Sequence, residues 1–437
     1  MKFSTTKPPR SAAIPKVNHR LPFGGGFLEI PKVGELIAYR GAPGVQDEAA
    51  AIRDALAHPI GSAALADIVH PGEIVAILVN DITRLTRTDL FLPPVIDTLN
   101  RAGIPDSDIF IVFALGIHRP QTEAERKLIL GGDLHARIRN FDHIASDEEN
   151  LVNVGTTRFG NTVQINRHVW EADRVILTGE IMYHLIAGYS GGRKSLVPGV
   201  AGWRTTTFNH NMIFDPACRS GLLEGNPAHE DLLEACYLFN PDFMLNVVLS
   251  PDGNLLRVVA GHFDLAHREG CRTVDLALSA DIDAPYDLLI ASAGGAPLDI
   301  DIRQAHKGLE NACRALKPGG TMVFYAECAN GTGHPRVADY AWAYDGFEAM
   351  EAALRAHFEV GGHKAYWLAR LGAWYDIHLV SRLDPALVRR FGFTPVRPED
   401  HAAQLAQLLP QATRIGVIPH AGHTLPILKS KGETIAI

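Results

Sequence analysis

The sequence predicts an α/β protein of two domains, each built on a mostly parallel sheet, with the functional site in the cleft between them. Short runs of Val, Ile and Leu alternate with longer segments of helical period, which is the pattern of parallel strands joined by crossover helices. A strand followed by a glycine-rich loop occurs early in the chain and again after residue 286. We therefore expect a first domain at residues 1–275, a second at 276–412, and a tail at 413–437 that could pack back on the first domain.

The elements of each domain follow from periodicity and turn residues. In the first domain they are a strand at 73–81, a helix at 88–103 that ends at Gly103, strands at 107–118 and 173–180, a helix around His210, a hairpin at 242–261 and a helix at 262–280. In the second domain they are a strand and loop at 286–299, a helix to about Leu316, and strands at 321–328 and near 414–423. Ligands of such sheets bind beyond the carboxyl ends of the strands, so functional side chains are expected in the loops that follow them.

Composition argues against several classes of protein. The chain has 437 residues, of which 46% are hydrophobic and 21% charged, as in an ordinary globular protein. A net charge of −8 argues against a nucleic-acid or acidic-membrane partner, and no apolar run approaches the ~20 residues of a membrane-spanning helix. The five cysteines contain no Cys-x-x-Cys pair, which indicates neither a disulfide framework nor a thiolate zinc site. We expect a cytoplasmic protein without a targeting signal.

Polar residues follow the strand at 73–81. Asp81, Thr83 and Arg84 lie between a buried strand and a helix, where backbone N–H groups and the helix dipole favour an anion. Arg84 could bind a carboxylate or phosphate through two parallel hydrogen bonds. His118, at the end of the next strand, would project into the same crevice and could exchange protons near neutral pH. In the alternative interpretation, Asp81 or Thr83 is only a helix cap, Arg84 is a surface charge and His118 is a structural histidine.

Residues 183–211 place Lys194 behind two glycines, with His184 before it and His210 after it. The segment is close to a phosphate-binding loop, but Arg193 replaces its second glycine, which disfavours a nucleotide hydrolase. The glycines would allow another molecule to approach the backbone, and a lysine so placed can be a nucleophile or a covalent anchor. The two histidines are potential metal ligands, although they do not complete a zinc site. The alternative is a flexible surface loop with a solvated lysine.

A second glycine-rich segment, residues 294–308, places polar side chains after the first strand of the second domain. They are Asp299, Arg303, Gln304 and Lys307. This segment could close on the crevice of the first domain. In the alternative interpretation it is a capped helix with a solvated face, on which Arg303 and Lys307 are neighbours of like charge.

Taken together, these segments resemble the lactate racemase family, whose members use a nickel-pincer nucleotide. The resemblance covers roughly residues 20 to 430. It rests on D-x-T-R at 81–84, G-I-H-R-P at 116–120, H-x9-K-x15-H over 184–210, E-G-N-P-A-H-E-D at 224–231 and G-G-x-P-x-D-x4-Q-x2-K at 294–307.

The resemblance implies how the cofactor is held. Lys194 would be joined to it covalently through a thioamide, and His210 would be the single protein ligand of the nickel. Two sulfurs and a ring carbon of the cofactor would complete a near square-planar site, which suits nickel(II). The other cofactor contacts that it implies are Asp81, Thr83, Gly191, Gly192 and Lys307.

The same resemblance implies the reaction. His118 and His184 would be paired acid/base residues on opposite sides of a 2-hydroxy acid. One would take the hydroxyl proton while the α-hydrogen leaves as hydride, and the resulting 2-oxo acid would accept the hydride on either face. Arg84 would hold the substrate carboxylate, with Gln304 and Lys307 completing the pocket.

Arg303 occupies a position where lactate-specific members have an aromatic residue. It could pair with a second anionic or polar group, which would favour malate, 2-hydroxyglutarate or a sugar acid over lactate; alternatively, it faces solvent or the cofactor's phosphate. Two other functions stay open, a metal-dependent hydrolase and a non-catalytic protein that binds the cofactor or an organic acid. The implied partners are the small acid and the enzymes that make the cofactor, and the sequence does not indicate the oligomeric state.

Overall fold

The computed structural model describes residues 18–84 and 86–429; residues 1–17, 85 and 430–437 of the predicted ranges lie outside this part of the chain. Within it, two six-stranded sheets form the centres of two α/β units, which confirms the predicted fold class. The strands are β1 Asn18–Phe23, β2 Gly26–Pro31, β3 Glu35–Leu36, β4 Val75–Val79, β5 Ile109–Phe113, β6 Arg139–Asp142, β7 Leu151–Thr156, β8 Thr162–Asn166, β9 Arg174–Glu180, β10 Tyr183–His184, β11 Gly188–Tyr189, β12 Phe243–Leu249, β13 Leu255–Gly261, β14 Ser279–Ile282, β15 Tyr286–Ser292, β16 Leu316–Tyr325, β17 Asp376–Val380, β18 Thr394–Val396, β19 Ile415–Ile418 and β20 Leu425–Leu428. The helices are α1 Glu48–Ala57, α2 Leu65–Ile68, α3 Thr88–Arg101, α4 Glu123–Leu130, α5 Gly132–Arg137, α6 Arg167–Trp170, α7 Trp203–His210, α8 Pro227–Phe239, α9 Leu265–Leu278, α10 Ile302–Cys313, α11 Pro335–Ala343, α12 Gly346–Ala356, α13 Gly362–Trp374, α14 Pro385–Arg390 and α15 His401–Leu408.

The first sheet has the strand order β13-β12-β9-β4-β5-β6. Its strands are parallel except β13, which pairs antiparallel with β12 and so confirms the predicted hairpin. Every side chain of β4 and β5 is buried, as expected for strands covered on both faces. Because β9, β4 and β5 are neighbours, the loops that follow them lie along one edge of the sheet, and these loops carry the predicted polar residues.

The second sheet has the order β18-β17-β16-β15-β19-β3 and all its pairings are parallel. The structure differs from the predicted domain division at both ends. The hairpin β1–β2 packs on this sheet, with Leu21 and Ile30 in one apolar cluster with Leu288, and β3 pairs with β19. Residues 18–36 therefore belong with the second unit, not the first.

The prediction for the tail at 413–437 was that it could pack back on the first domain. Its first strand, β19, pairs with β15 on one side and β3 on the other, so this strand lies inside the second sheet. Further along, Leu425 of β20 is buried in the apolar core of the first domain. The tail thus contributes to both units. Across residues 18–84 and 86–429, no helix is long and apolar enough to cross a membrane.

Candidate active site

A cavity of about 570 Å³ lies at the carboxyl ends of β4, β5 and β9, a volume typical of small-molecule and cofactor sites. Residues of both α/β units line it. Of the residues predicted for the site, the structure brings together at this cavity Asp81, Thr83, Arg84, His118, His184, Gly191, Lys194, His210, Arg303, Gln304 and Lys307. Gly192 is not among the lining residues.

Asp81 and His118 form a hydrogen-bonded pair in the wall of the cavity. Nδ1 of His118 lies 2.5 Å from one carboxylate oxygen of Asp81, and the other oxygen accepts hydrogen bonds from the N–H and hydroxyl of Thr83 at 3.1 and 2.6 Å. Burial opposes ionisation of Asp81, but the hydrogen bond and charge of His118, with the Thr83 hydroxyl, lower its pKa overall. A carboxylate that accepts Nδ1–H leaves the free lone pair of the imidazole on Nε2, which suits a base.

His184 has the opposite hydrogen-bonding pattern. Its Nδ1 accepts the backbone N–H groups of Ile186 and Ala187, each at 3.2 Å. Burial, together with the nearby charge of Lys194, lowers the pKa of His184 well below its usual value. The neutral ring therefore carries its proton on Nε2, where it is a hydrogen-bond donor to a molecule in the cavity.

The Lys194 side chain is buried, and it has neither a hydrogen bond nor an ion pair among residues 18–84 and 86–429. Burial, followed by the charges of Arg84 and Arg193, lowers the pKa of Lys194 well below its usual value. A short 3-10 helix, Gly192–Ser195, fixes its position, because the Ser195 hydroxyl donates to the carbonyl of Thr178 at 2.7 Å. A neutral amine is a nucleophile, so this lysine is suited to covalent attachment.

The two glycines before Lys194 have positive φ angles, +71° at Gly191 and +54° at Gly192, a region that L residues rarely adopt. A Cβ on Gly191 would lie 2.7 Å from Oδ1 of Asn246, and one on Gly192 would lie 2.7 Å from the ring of His267. The interpretation that the glycines make room for another molecule therefore holds for neither residue. The missing side chain of Gly191 accommodates Asn246, and that of Gly192 accommodates the ring of His267.

Arg193 is fully buried and points away from the cavity. Its guanidinium donates to the backbone carbonyls of Ala187 and Tyr189 at 2.7 and 3.1 Å. It therefore fastens the loop on which His184 and Lys194 stand. This position is the departure from the phosphate-loop pattern, and its role here is structural.

His210 is the last residue of α7. Its Nδ1 donates to the carbonyl of Thr206 at 2.9 Å, and burial with the charge of Lys194 lowers its pKa to about 3. The ring is therefore neutral with a lone pair on Nε2. A histidine that ligates a metal through one nitrogen usually donates its other N–H to a carbonyl or carboxylate in this way.

The second unit contributes the start of α10. Asp301 caps this helix by accepting the N–H of Gln304 at 2.8 Å, and the Lys307 ammonium donates to the side-chain carbonyl of Gln304 at 2.8 Å. Burial, then the charges of Arg84 and Arg303, lowers the pKa of Lys307 to about 7. Arg84 comes from the first unit, so the two units share one electrostatic environment.

Asp299, also expected to face the crevice, instead accepts the backbone N–H groups of Gly24 and Glu327 at 2.7 and 3.1 Å. It ties the β1–β2 hairpin to the second sheet. Its function is therefore structural.

Sequence reasoning missed three polar lining residues of the second unit, His334, His363 and Lys364. A signal was present, because residues 361–364 read Gly-Gly-His-Lys and so repeat the Gly-Gly-x-Lys arrangement of residues 191–194. The ring of His363 lies 6.3 Å from that of His210, centre to centre. The second unit thus approaches the predicted metal ligand directly.

The residues of this cavity fit the cofactor that the resemblance implies. Lys194 offers an unpartnered amine of lowered pKa for attachment, and His210 offers a free imidazole nitrogen. Across residues 18–84 and 86–429, no group of three or more His, Cys, Asp or Glu side chains could hold a metal ion. A metal at His210 would therefore need ligands that the cofactor supplies.

The fold and the site define a two-domain α/β protein whose interdomain cavity is equipped for acid–base chemistry and for a covalently held ligand. The chain belongs to the lactate racemase family. Residues 28–221 match the lactate racemase N-terminal domain and residues 282–423 the lactate racemase C-terminal domain.

Relatives with assigned names cover most of the chain. The lactate racemase of Thermoanaerobacterium thermosaccharolyticum is 35% identical over 84% of this chain and 88% of its own length, and that of Lactiplantibacillus plantarum is 32% identical with the same coverage. The apoprotein structure of the former has a TM-score of 0.86, with 30% identity over 94% of this chain and 100% of that chain. A Thermotoga maritima protein, at 18% identity over 84% of this chain and 96% of its own, shares the fold with a TM-score of 0.66.

Proposed function

We propose that this protein racemises or epimerises a 2-hydroxy acid, with a nickel-pincer nucleotide held on Lys194 and His210. The isomerase class agrees with the family to which the chain belongs. The observation that carries the proposal is the buried Lys194 amine, which has no side-chain partner among the described residues and a lowered pKa, in the cavity that His118 and His184 also line.

The protein's own residues would bind the substrate and handle its hydroxyl proton. When bound, the cofactor supplies nickel and a hydride acceptor. Arg84 has no hydrogen-bonded side-chain partner among residues 18–84 and 86–429, so its guanidinium is free to grip the substrate carboxylate. His118 would take the hydroxyl proton on Nε2, with Asp81 holding the ring and stabilising its charged form.

The hydrogen bonds of His184 are opposite to those of His118, because its Nδ1 is an acceptor and not a donor. Its neutral form offers Nε2–H to the substrate oxygen, and a proton on Nδ1 would cost the hydrogen bonds from Ile186 and Ala187. We therefore expect the two histidines to be unequal, with His118 presenting an acceptor nitrogen and His184 a donor N–H to the substrate. Arg303, at the substrate end of α10, would favour an acid larger or more polar than lactate, such as malate, 2-hydroxyglutarate or a sugar acid.

The function is tested by following one enantiomer of a 2-hydroxy acid in D2O with the cofactor-loaded enzyme. Racemisation by hydride transfer should leave the original hydrogen on the α-carbon, because that hydrogen never becomes a solvent-exchangeable proton. Chiral separation measures turnover, and mass spectrometry of each enantiomer measures deuterium. Deuterium at the α-carbon in step with turnover would contradict hydride transfer, and no racemisation of any hydroxy acid would contradict the function itself.

Asp81→Asn should lower kcat by about a hundredfold or more, the range of a general base that has lost its orientation and charge support. An amide at this position accepts Nδ1–H more weakly and can present N–H to the ring, which favours the wrong tautomer. Steady-state racemisation with each enantiomer measures the effect.

Thr83→Val is the matched control for Asp81→Asn. It removes only the hydroxyl that donates to Asp81 at 2.6 Å and leaves the contact with His118, so we expect a loss of about tenfold or less. Equal losses in the two variants would mean that the carboxylate acts only by shaping the loop.

A further inference from the structure

The cavity contains more cationic side chains than its carboxylates can balance. Asp81 is the sole carboxylate among its described lining residues, and it is already engaged by His118 and Thr83. The basic lining residues are Arg84, Arg119, Lys194, Arg303, Lys307 and Lys364. Such a cavity concentrates anions.

Most of these cations have a partner or a role already. The guanidinium of Arg119 pairs with Glu125, and Lys307 donates to Gln304. In the proposed function, Arg84 binds the substrate carboxylate and Lys194 holds the cofactor. Two basic residues remain without an assigned anion, namely Arg303, whose proposed role is in substrate preference, and Lys364.

Neither Arg303 nor Lys364 has a hydrogen bond or an ion pair with residues 18–84 or 86–429. Nε of Arg303 is buried without a partner, and the Lys364 ammonium lies 5.0 Å from the centre of the Trp367 ring. A buried donor that has lost water without gaining an acceptor costs free energy. A ligand with acceptor oxygens would remove this cost.

The two cations also act unfavourably on each other. Burial, then the charges of Lys307 and Arg303, lowers the pKa of Lys364 to about 7. Arg84 and Arg303 both lower the pKa of Lys307, so guanidinium groups of both units act on the same lysine. An anion beside Lys364 would reverse the shift of its pKa, since it would stabilise the ammonium.

We propose that Arg303 and Lys364 form a second anion site that binds the distal carboxylate of a 2-hydroxy dicarboxylic acid. The position of the other carboxylate, at Arg84, rests on the proposed function. Arg84 belongs to the first unit and the second site to α10 and α13, so the diacid would bridge the two units. The same chemistry could instead bind an anionic group of the cofactor, and the experiment separates these two sources.

The test measures kcat/KM of the cofactor-loaded enzyme for malate, 2-hydroxyglutarate and lactate. The kcat/KM of wild type should be about tenfold or more higher for one of the diacids than for lactate. Lys364→Met and Arg303→Met should each lower this ratio of kcat/KM values by about tenfold or more, as expected for a lost hydrogen bond to a charged group. Lys364→Arg should retain part of the preference. Arg119→Met is the matched control, because it removes a cavity cation that is already paired, and it should not change the ratio.

A binding measurement makes the outcomes distinguishable. Calorimetry of the loaded enzyme should show that succinate or glutarate, which are diacids, binds more tightly than the monoacid propionate. Lys364→Met should weaken binding of the diacid by about tenfold or more. The intact mass and nickel content of this variant should be the same as those of wild type. Binding of this kind without turnover of any hydroxy acid would support the second site and overturn the proposed function. Turnover without preference for a diacid, or loss of cofactor in Lys364→Met with unchanged diacid binding, would overturn the second site.

Discussion

Lys194→Ala should abolish racemisation. The Lys194 amine has no side-chain partner among the described residues and a lowered pKa, which favours its nucleophilic form, and alanine offers no atom to which a cofactor can be joined. Since the cofactor carries the hydride step, the variant should lose the whole rate enhancement, which for enzymes is about a millionfold or more. Chiral analysis of product with each enantiomer as substrate measures the loss.

Two further variants define what the lysine provides. Lys194→Arg keeps a cation but not a nucleophilic amine, so it should be as inactive as Lys194→Ala. Lys317→Ala removes an exposed lysine that pairs with Asp287 far from the cavity lining, and it should keep wild-type activity. Activity in Lys194→Arg would show that the residue acts by charge alone.

His118→Ala and His184→Ala should each lower kcat/KM by about a hundred- to ten-thousandfold, the usual contribution of a positioned acid or base. Each ring has a distinct hydrogen-bonding state, with Asp81 accepting from one and two backbone N–H groups donating to the other. Neither can replace the other. Because they act as one unit on the same oxygen, the double variant should be little worse than the more damaging single variant.

The histidine variants need a control for folding and for charge. His58 is exposed and pairs with Asp54 on α1, so His58→Ala should leave turnover unchanged. Unaltered thermal unfolding and nickel content in the cavity variants would show that only chemistry was affected. A double variant that turned over like wild type would rule out acid–base roles for both residues.

Much of the first unit could be predicted from local pattern. The strands β4, β5 and β9 are continuous apolar runs, and parallel strands place the loops after their carboxyl ends at one edge. Asp81, His118 and His184 all follow such strands closely, so their convergence was predictable without knowing the strand order.

What the sequence did not reveal depends on contacts between distant segments. The strand β3 has two residues, both exposed, and its pairing with β19 spans most of the chain, so no local pattern indicates it. Lys364 begins a helix instead of following a strand, and its place in the cavity comes from the packing of α13, where the rings of His363 and His210 meet. The reason for glycine at position 192 could not be predicted either, because the His267 ring that occupies the space of its side chain comes from the distant helix α9.

The most direct test of the central claim is the intact mass and nickel content of the protein produced together with the cofactor's biosynthetic enzymes. Wild type should show a nucleotide-sized mass increase and about one nickel ion per chain. Lys194→Ala should lose both, and His210→Ala should keep the mass increase but lose nickel. If wild type carried neither the mass increase nor nickel, while a working control protein made in the same host carried both, a nickel-bearing cofactor on Lys194 would be contradicted.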